Sequence, residues 1–99
     1  MTPYILEWCR KEFEPELSTL MYKLEQIDDK NLGGDVNYIV SCLIHAMRRD
    51  GWNYDAIQRV RGMLDGVKSE FEARLAVPYE ISARKRNGDI ITYKDLPFV

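Results

Sequence analysis

The residues of this chain with the most chemical reach are aromatic and basic. Tyr38, Tyr54, Tyr79, Trp8 and Trp52 offer ring faces, and Arg59, Lys68 and Arg74, followed by Arg84-Lys85-Arg86, offer cations. A ring beside a guanidinium fork suits a nucleobase and its phosphate: the base stacks on the π face while the fork bonds two phosphate oxygens. Protein interfaces use the same residue types, and so does a solvated amphipathic rim held by i,i+4 pairs. All three readings stay open on residue type alone. Within the set, Arg74, Tyr79, Arg84 and Arg86 are the candidates for touching phosphate or stacking on a base, with Asn37 and Tyr38 as polar contributors.

Catalytic groupings are harder to find. Cys42 and His45 stand three apart, the spacing of a nucleophile and its base on one helix face. Side chains so placed point outward in parallel, and no glycine turn is at hand to donate to an oxyanion, so the expectation is a core thiol beside a boundary histidine. Glu12, Glu14 and Glu16 surround Pro15 and read as solvated charge. A single histidine and two distant cysteines, Cys9 and Cys42, make no zinc set. Gly33-Gly34 brings backbone amides within reach of an anion if it opens a helix, but it lacks the lysine of a phosphate-binding loop, and the carboxylate of Asp35 would compete there. The expectation is a protein without catalysis, metal or cofactor.

Composition sets the frame. Ninety-nine residues, 45% hydrophobic and 30% charged, describe one ordered domain, 1–99. A chain this short buries a modest share of its surface, and self-association commonly adds to its stability. The formal charge of -2 argues against general nucleic-acid binding, and it hides an asymmetry. Acids gather toward the N-terminus (Glu12, Glu14, Glu16, Glu25, Asp28, Asp29), whereas Arg48-Arg49 and 84–86 are basic. Thiols without a pairing pattern, charges at Glu7, Arg10 and Lys11 where a leader would be apolar, and no long apolar run together point to the cytoplasm.

These residues must be positioned by helices. Thr2-Pro3 reads as a helix start and Pro15 as an interruption, giving pieces over 3–13 and 15–28; the second carries Leu17, Leu20, Leu24 and Ile27 at helical spacing. Residues 28–34 read as a loop, with Asp35 as the N-cap of a central helix over about 35–49. Its wide apolar face (Val36, Ile39, Val40, Leu43, Ile44, Met47) predicts cover on more than one side. Asn53 caps a long helix whose stripe is Ile57, Val60, Leu64, Val67, Phe71 and Leu75, close to heptad spacing and ending or bending near Pro78. Gly62 and Gly66, one turn apart inside it, imply close backbone approach, either by the central helix or at a self-association seam that would also include Phe98. Beyond Pro78 the helix either resumes and stops at Asn87-Gly88, the preferred reading, or 80–86 and 89–93 pair as a hairpin. The tail, rich in apolar residues through Phe98, is expected to be extended and packed on its own domain or on a neighbour. The fold class is therefore all-α: a helical hairpin of central and long helices, shorter N-terminal helices and an extended C-terminal tail.

A resemblance adds to this reading. Gly34-Asp35-Val36-Asn37-Tyr38-Ile39, the run from Tyr54 through Lys68-x-Glu70-Phe71-x-x-Arg74, Pro78-Tyr79-Glu80 and Asn87-Gly88-Asp89-Ile90 resemble a family of short phage and bacterial proteins that carries no assigned activity. The likeness runs from about Tyr4 to Ile90, and this chain departs from it at Glu72-Ala73, where a second arginine or an aromatic is common. In type, though by no motif, the chain is similar to phage anti-CBASS sponges, small helical subunits that assemble to enclose cyclic nucleotides. The resemblance implies a phage accessory protein that, as a homo-oligomer in the host cytoplasm, sequesters an anionic signalling nucleotide without turning it over. The alternatives are an inhibitor or adaptor that grips a host protein through Trp8, Trp52 and Phe98, and a structural role in the virion.

Overall fold

The computed structural model describes residues 2–98, and among them there are helices and turns but no strand. Thr2-Pro3 does not begin a helix. The Thr2 hydroxyl accepts from the Tyr4 amide at 3.2 Å, and the Ile5 amide donates to the Pro3 carbonyl at 2.9 Å. These local bonds spend the amides in a turn, and α1 (Glu7–Lys11) starts later. After a turn at Glu12-Phe13, α2 (Glu14–Glu25) carries Pro15 in its first turn, where the missing N–H costs nothing.

The central helix α3 (Asp29–His45) begins a full turn and more before the position expected from Asp35. Asp28 is the cap: its Oδ1 accepts from the Asn31 amide at 3.3 Å and from Asn31 Nδ2 at 2.8 Å. Residues 28–34 are therefore helix rather than loop, and Gly33-Gly34 lie inside it. One well-made cap is worth about 1 kcal/mol, similar to the penalty of one interior glycine. With the glycines inside the helix, their amides bond within it, and the anion cradle considered for them does not form.

A 3₁₀ turn (Ala46–Arg48) and a reversal at Arg49–Gly51 lead into α4 (Tyr54–Phe71). Asn53 caps α4 as expected, its Oδ1 accepting from the Ala56 amide at 2.8 Å. Arg59 Nη1 then donates to the Met47 carbonyl at 2.8 Å, tying α4 to the end of the 3₁₀ turn. Leu64 faces Val36, Val40 and Ile44 across a shallow groove. The two helices meet chiefly through the 3₁₀ turn that joins them and only sparsely along their lengths.

Pro78 does not end the long helix. Its ring cannot donate and would collide with the carbonyl four residues back. The chain absorbs this in one π turn (Glu72–Ala76), in which the Val77 amide donates to the Glu72 carbonyl five residues earlier. Helix α5 (Val77–Asn87) continues directly and stops where the Gly88 amide donates to the Arg84 carbonyl at 2.8 Å. Gly88 takes φ +88°, a conformation that favours glycine. The helix reading of 80–87 thus holds, the hairpin alternative does not form, and the tail folds into turns over Ile91–Asp95.

From Tyr54 to Asn87 the helix spans about 50 Å, nearly the whole 53 Å length of the molecule. Nothing in the chain covers it end to end. Among the described residues only Ala56, at 1% exposure, is buried, and α3 has no buried residue, so the cover predicted on more than one side of its wide apolar face is not made. For the same reason Cys42 is exposed instead of sitting in a core. The accessible surface is 9007 Å², against about 5,800 Å² for a closed monomer of 11.6 kDa. The radius of gyration is 18.4 Å, against about 13 Å for a compact domain of this length. Replacing Asn53 by Ala leaves the amide of buried Ala56 without its cap acceptor. It is expected to lower folding stability by about 1 kcal/mol in urea denaturation, with Asn53→Asp retaining most of it.

Candidate ligand-binding groove

The Gly88 turn sends the tail back along α5, and the two enclose an open concavity. This groove, of about 700 Å³, is lined by Val77, Ile81 and Ala83 with Arg84 and Asn87 from α5, and by Asp89, Ile90 and Tyr93 from the tail. Its volume lies in the range typical of small-molecule sites. Arg84 also lines the adjoining cleft of about 440 Å³, with Tyr93, Lys94 and Phe98. A cation, a ring, a carboxamide and a second cation thus border one open surface. Glu80 and Asp89 bring negative charge to the same groove, suited to amino or hydroxyl donors of a ligand rather than to its phosphates.

The six residues expected to meet a ligand do not converge. Arg84 is in the groove. Tyr79 and Arg86 lie together on another face of α5, with the Arg86 guanidinium 5.9 Å from the Tyr79 ring centroid and its Nη1 donating to Ser82 Oγ at 2.8 Å. Asn37 lines the α3–α4 groove, its Oδ1 accepting from Ser41 Oγ at 3.2 Å, while Tyr38 is 71% exposed. Arg74 sits near the N-terminal anchor, where the Tyr4 hydroxyl donates to Glu70 Oε2 at 2.7 Å. Among the residues assigned to a self-association seam, Gly62 and Gly66 are half-buried and Phe98 is 70% exposed. Sequence reasoning missed Tyr93, Lys94 and Asn87 as groove residues. The signal was Asn87-Gly88, since a stop that reverses the chain lays whatever follows against the last turns of α5.

No described helix is long and apolar enough to cross a membrane, and no cluster of metal-ligating side chains occurs among the described residues. A family model described as a domain of unknown function, DUF6899, matches residues 2–90. The chain belongs to the DUF6899 family. The match takes in every helix and the Gly88 turn, so the α5 wall of the groove belongs to the DUF6899 domain, whereas Tyr93, Lys94 and Phe98 lie beyond the matched residues. No curated protein and no solved structure matches the chain.

The N-terminal anchor makes a testable point about the segment nearest Arg74. The hydrogen bond to Glu70 holds the Tyr4 phenol above its ordinary value of 10.0, and the negative charge of Glu70 adds to this, while Arg74 and Arg10 pull the other way. A raised folded-state value means that the contact is complete below 10.0 and is lost as pH rises through the raised value. In a Trp52→Phe background, Trp8 fluorescence should change in an alkaline step that follows the bulk of tyrosine ionisation. Tyr4→Phe should abolish that step.

Proposed function

We propose that this DUF6899 protein is a non-catalytic binder of an anionic, ring-bearing small molecule of the nucleotide class, held in the groove between α5 and the tail. The observation that carries the reading is the convergence of Arg84, Asn87 and Tyr93 on one concavity of ligand size. In it Arg84 bonds phosphate, Tyr93 stacks on the base, and Asn87 reads a polar edge. Lys94 extends the positive surface into the adjoining cleft. In a phage setting, which the family resemblance implies, the ligand is a cyclic signalling nucleotide and binding without turnover sequesters it. The open walls of the groove fit a site completed in an oligomer rather than by one subunit.

Calorimetry and thermal denaturation with cyclic di- and trinucleotides and ADP-ribose derivatives test this. One class should raise the melting temperature, since ligand at a hundred times Kd adds about 2.7 kcal/mol. Arg84→Ala should weaken binding by about tenfold to a hundredfold through loss of a charge-assisted bond. Tyr93→Ala should weaken it similarly, and Asn37→Ala should leave it unchanged. Absence of binding across the panel contradicts the reading. A second reading, an adaptor for a host protein, is favoured by Trp8 and Trp52, which are 65% and 50% exposed. It expects one host protein to co-purify and to be lost on Trp52→Ala.

A further inference from the structure

Among the described residues two amphipathic surfaces are left without a partner. The first is α2. Leu17, Met21 and Tyr22 are 51%, 57% and 66% exposed, and the helix makes its contacts chiefly with α1 at their joint. Glu14, Glu16 and Glu25 outweigh Lys23 along it. The second is the face of the long helix at the π turn. Phe71, Leu75 and Tyr79, with Ala76 and Glu80, line an almost wholly apolar groove of about 520 Å³. Their exposures are 55%, 61% and 68%. Arg86 stands over the Tyr79 ring at its edge, and Arg84, Lys85 and Arg86 outweigh Glu80 along α5.

We infer that α2 of one copy of this chain lies in the Phe71–Leu75–Tyr79 groove of a second copy, and the second copy's α2 in the groove of the first. Three observations select a second copy as the occupant. The ridges match: Leu17 and Met21 are four apart on α2, Phe71, Leu75 and Tyr79 are four apart on the other helix, and such rows interdigitate. The charges match toward the C-terminal end of α5, where Arg84, Lys85 and Arg86 suit the glutamates of α2, while Glu72 and Glu80 at the groove itself must lie clear of them.

The area matches as well. Each chain exposes 9007 Å², roughly 3,200 Å² more than a closed monomer of its mass. Two copies therefore hold about 6,400 Å² of excess, enough for an obligate interface, which buries about 2,000–5,000 Å² or more in total. Exchange about a two-fold axis uses each α2 and each groove once and leaves neither open, so the assembly closes at a dimer. The α5–tail groove shares Glu80 with this one but no other lining residue, and neither trapping nor mass determination needs a ligand, so the interface stands or falls independently of the ligand reading.

Disulfide trapping tests the arrangement. In a Cys9→Ser/Cys42→Ser background, one chain carries Met21→Cys and another carries Leu75→Cys. The two are co-refolded and oxidised, while sedimentation of the native chain gives its mass. The expected result is a dimer mass and a reducible link between the two different chains. The Leu17→Glu/Met21→Glu chain should lose the dimer at micromolar concentration. If that variant does not fold, as judged by circular dichroism, the trapping result decides alone. A monomeric mass, or links only between like positions, would each overturn the inference.

Discussion

An amphipathic helix is stable in water only when something of comparable length lies against its apolar face. In this protein the helix from Tyr54 to Asn87 has an apolar stripe along most of its length, and the chain supplies cover for only part of it. Helix α3 meets α4 chiefly through the 3₁₀ turn, and Val36, Val40 and Ile44 share only a shallow groove with Leu64. Beyond that, Val67, Phe71 and Leu75 are each more than half exposed. Burial of apolar area is the main favourable term in folding, so the other features of the structure bear on how this deficit is met. The extended shape, the half-buried α3 and the unattached face of α2 are consequences of it.

The π turn is where this constraint meets the site. A proline in the middle of a long helix ordinarily breaks it, and a break at Pro78 would detach α5. Inserting one residue through the Val77–Glu72 bond keeps the chain helical past Pro78 and shifts the helical register of α5 relative to α4. That shift separates the residues following Pro78 into two working surfaces. Val77, Ile81 and Arg84 meet the tail. Tyr79, with Phe71 and Leu75, forms the apolar groove on another side. One helix thereby borders two concavities that share Glu80 and are otherwise lined by different residues.

Much of the fold was legible in the residues because local chemistry decided it. Asn53 and Asn87-Gly88 mark a start and a stop that depend on side chains within one turn, and the stripe between them has the helical period. Asp35 misled because Asp28 has the same chemistry and a better partner in Asn31, and nothing local ranks the two caps. The apolar width of α3 was read as cover on several sides. A hydrophobic pattern records that a face needs burial and is silent on whether the same chain provides it. The candidate site was legible only at Arg84. Tyr93 and Lys94 reach the groove through the reversal at Gly88, and Tyr79, Arg86 and Arg74 were grouped with Arg84 by sequence proximity although the helix turns them to different sides.

The central claim is that folding of this chain is coupled to its association. Urea unfolding followed by far-ultraviolet circular dichroism, repeated across about a hundredfold range of protein concentration, tests it most directly. Coupled folding and association predict a midpoint that rises steadily with concentration, because a partner that binds only the folded chain shifts the equilibrium by mass action. A midpoint that stays constant over that range would show that a single chain holds this fold unaided, and would contradict the account.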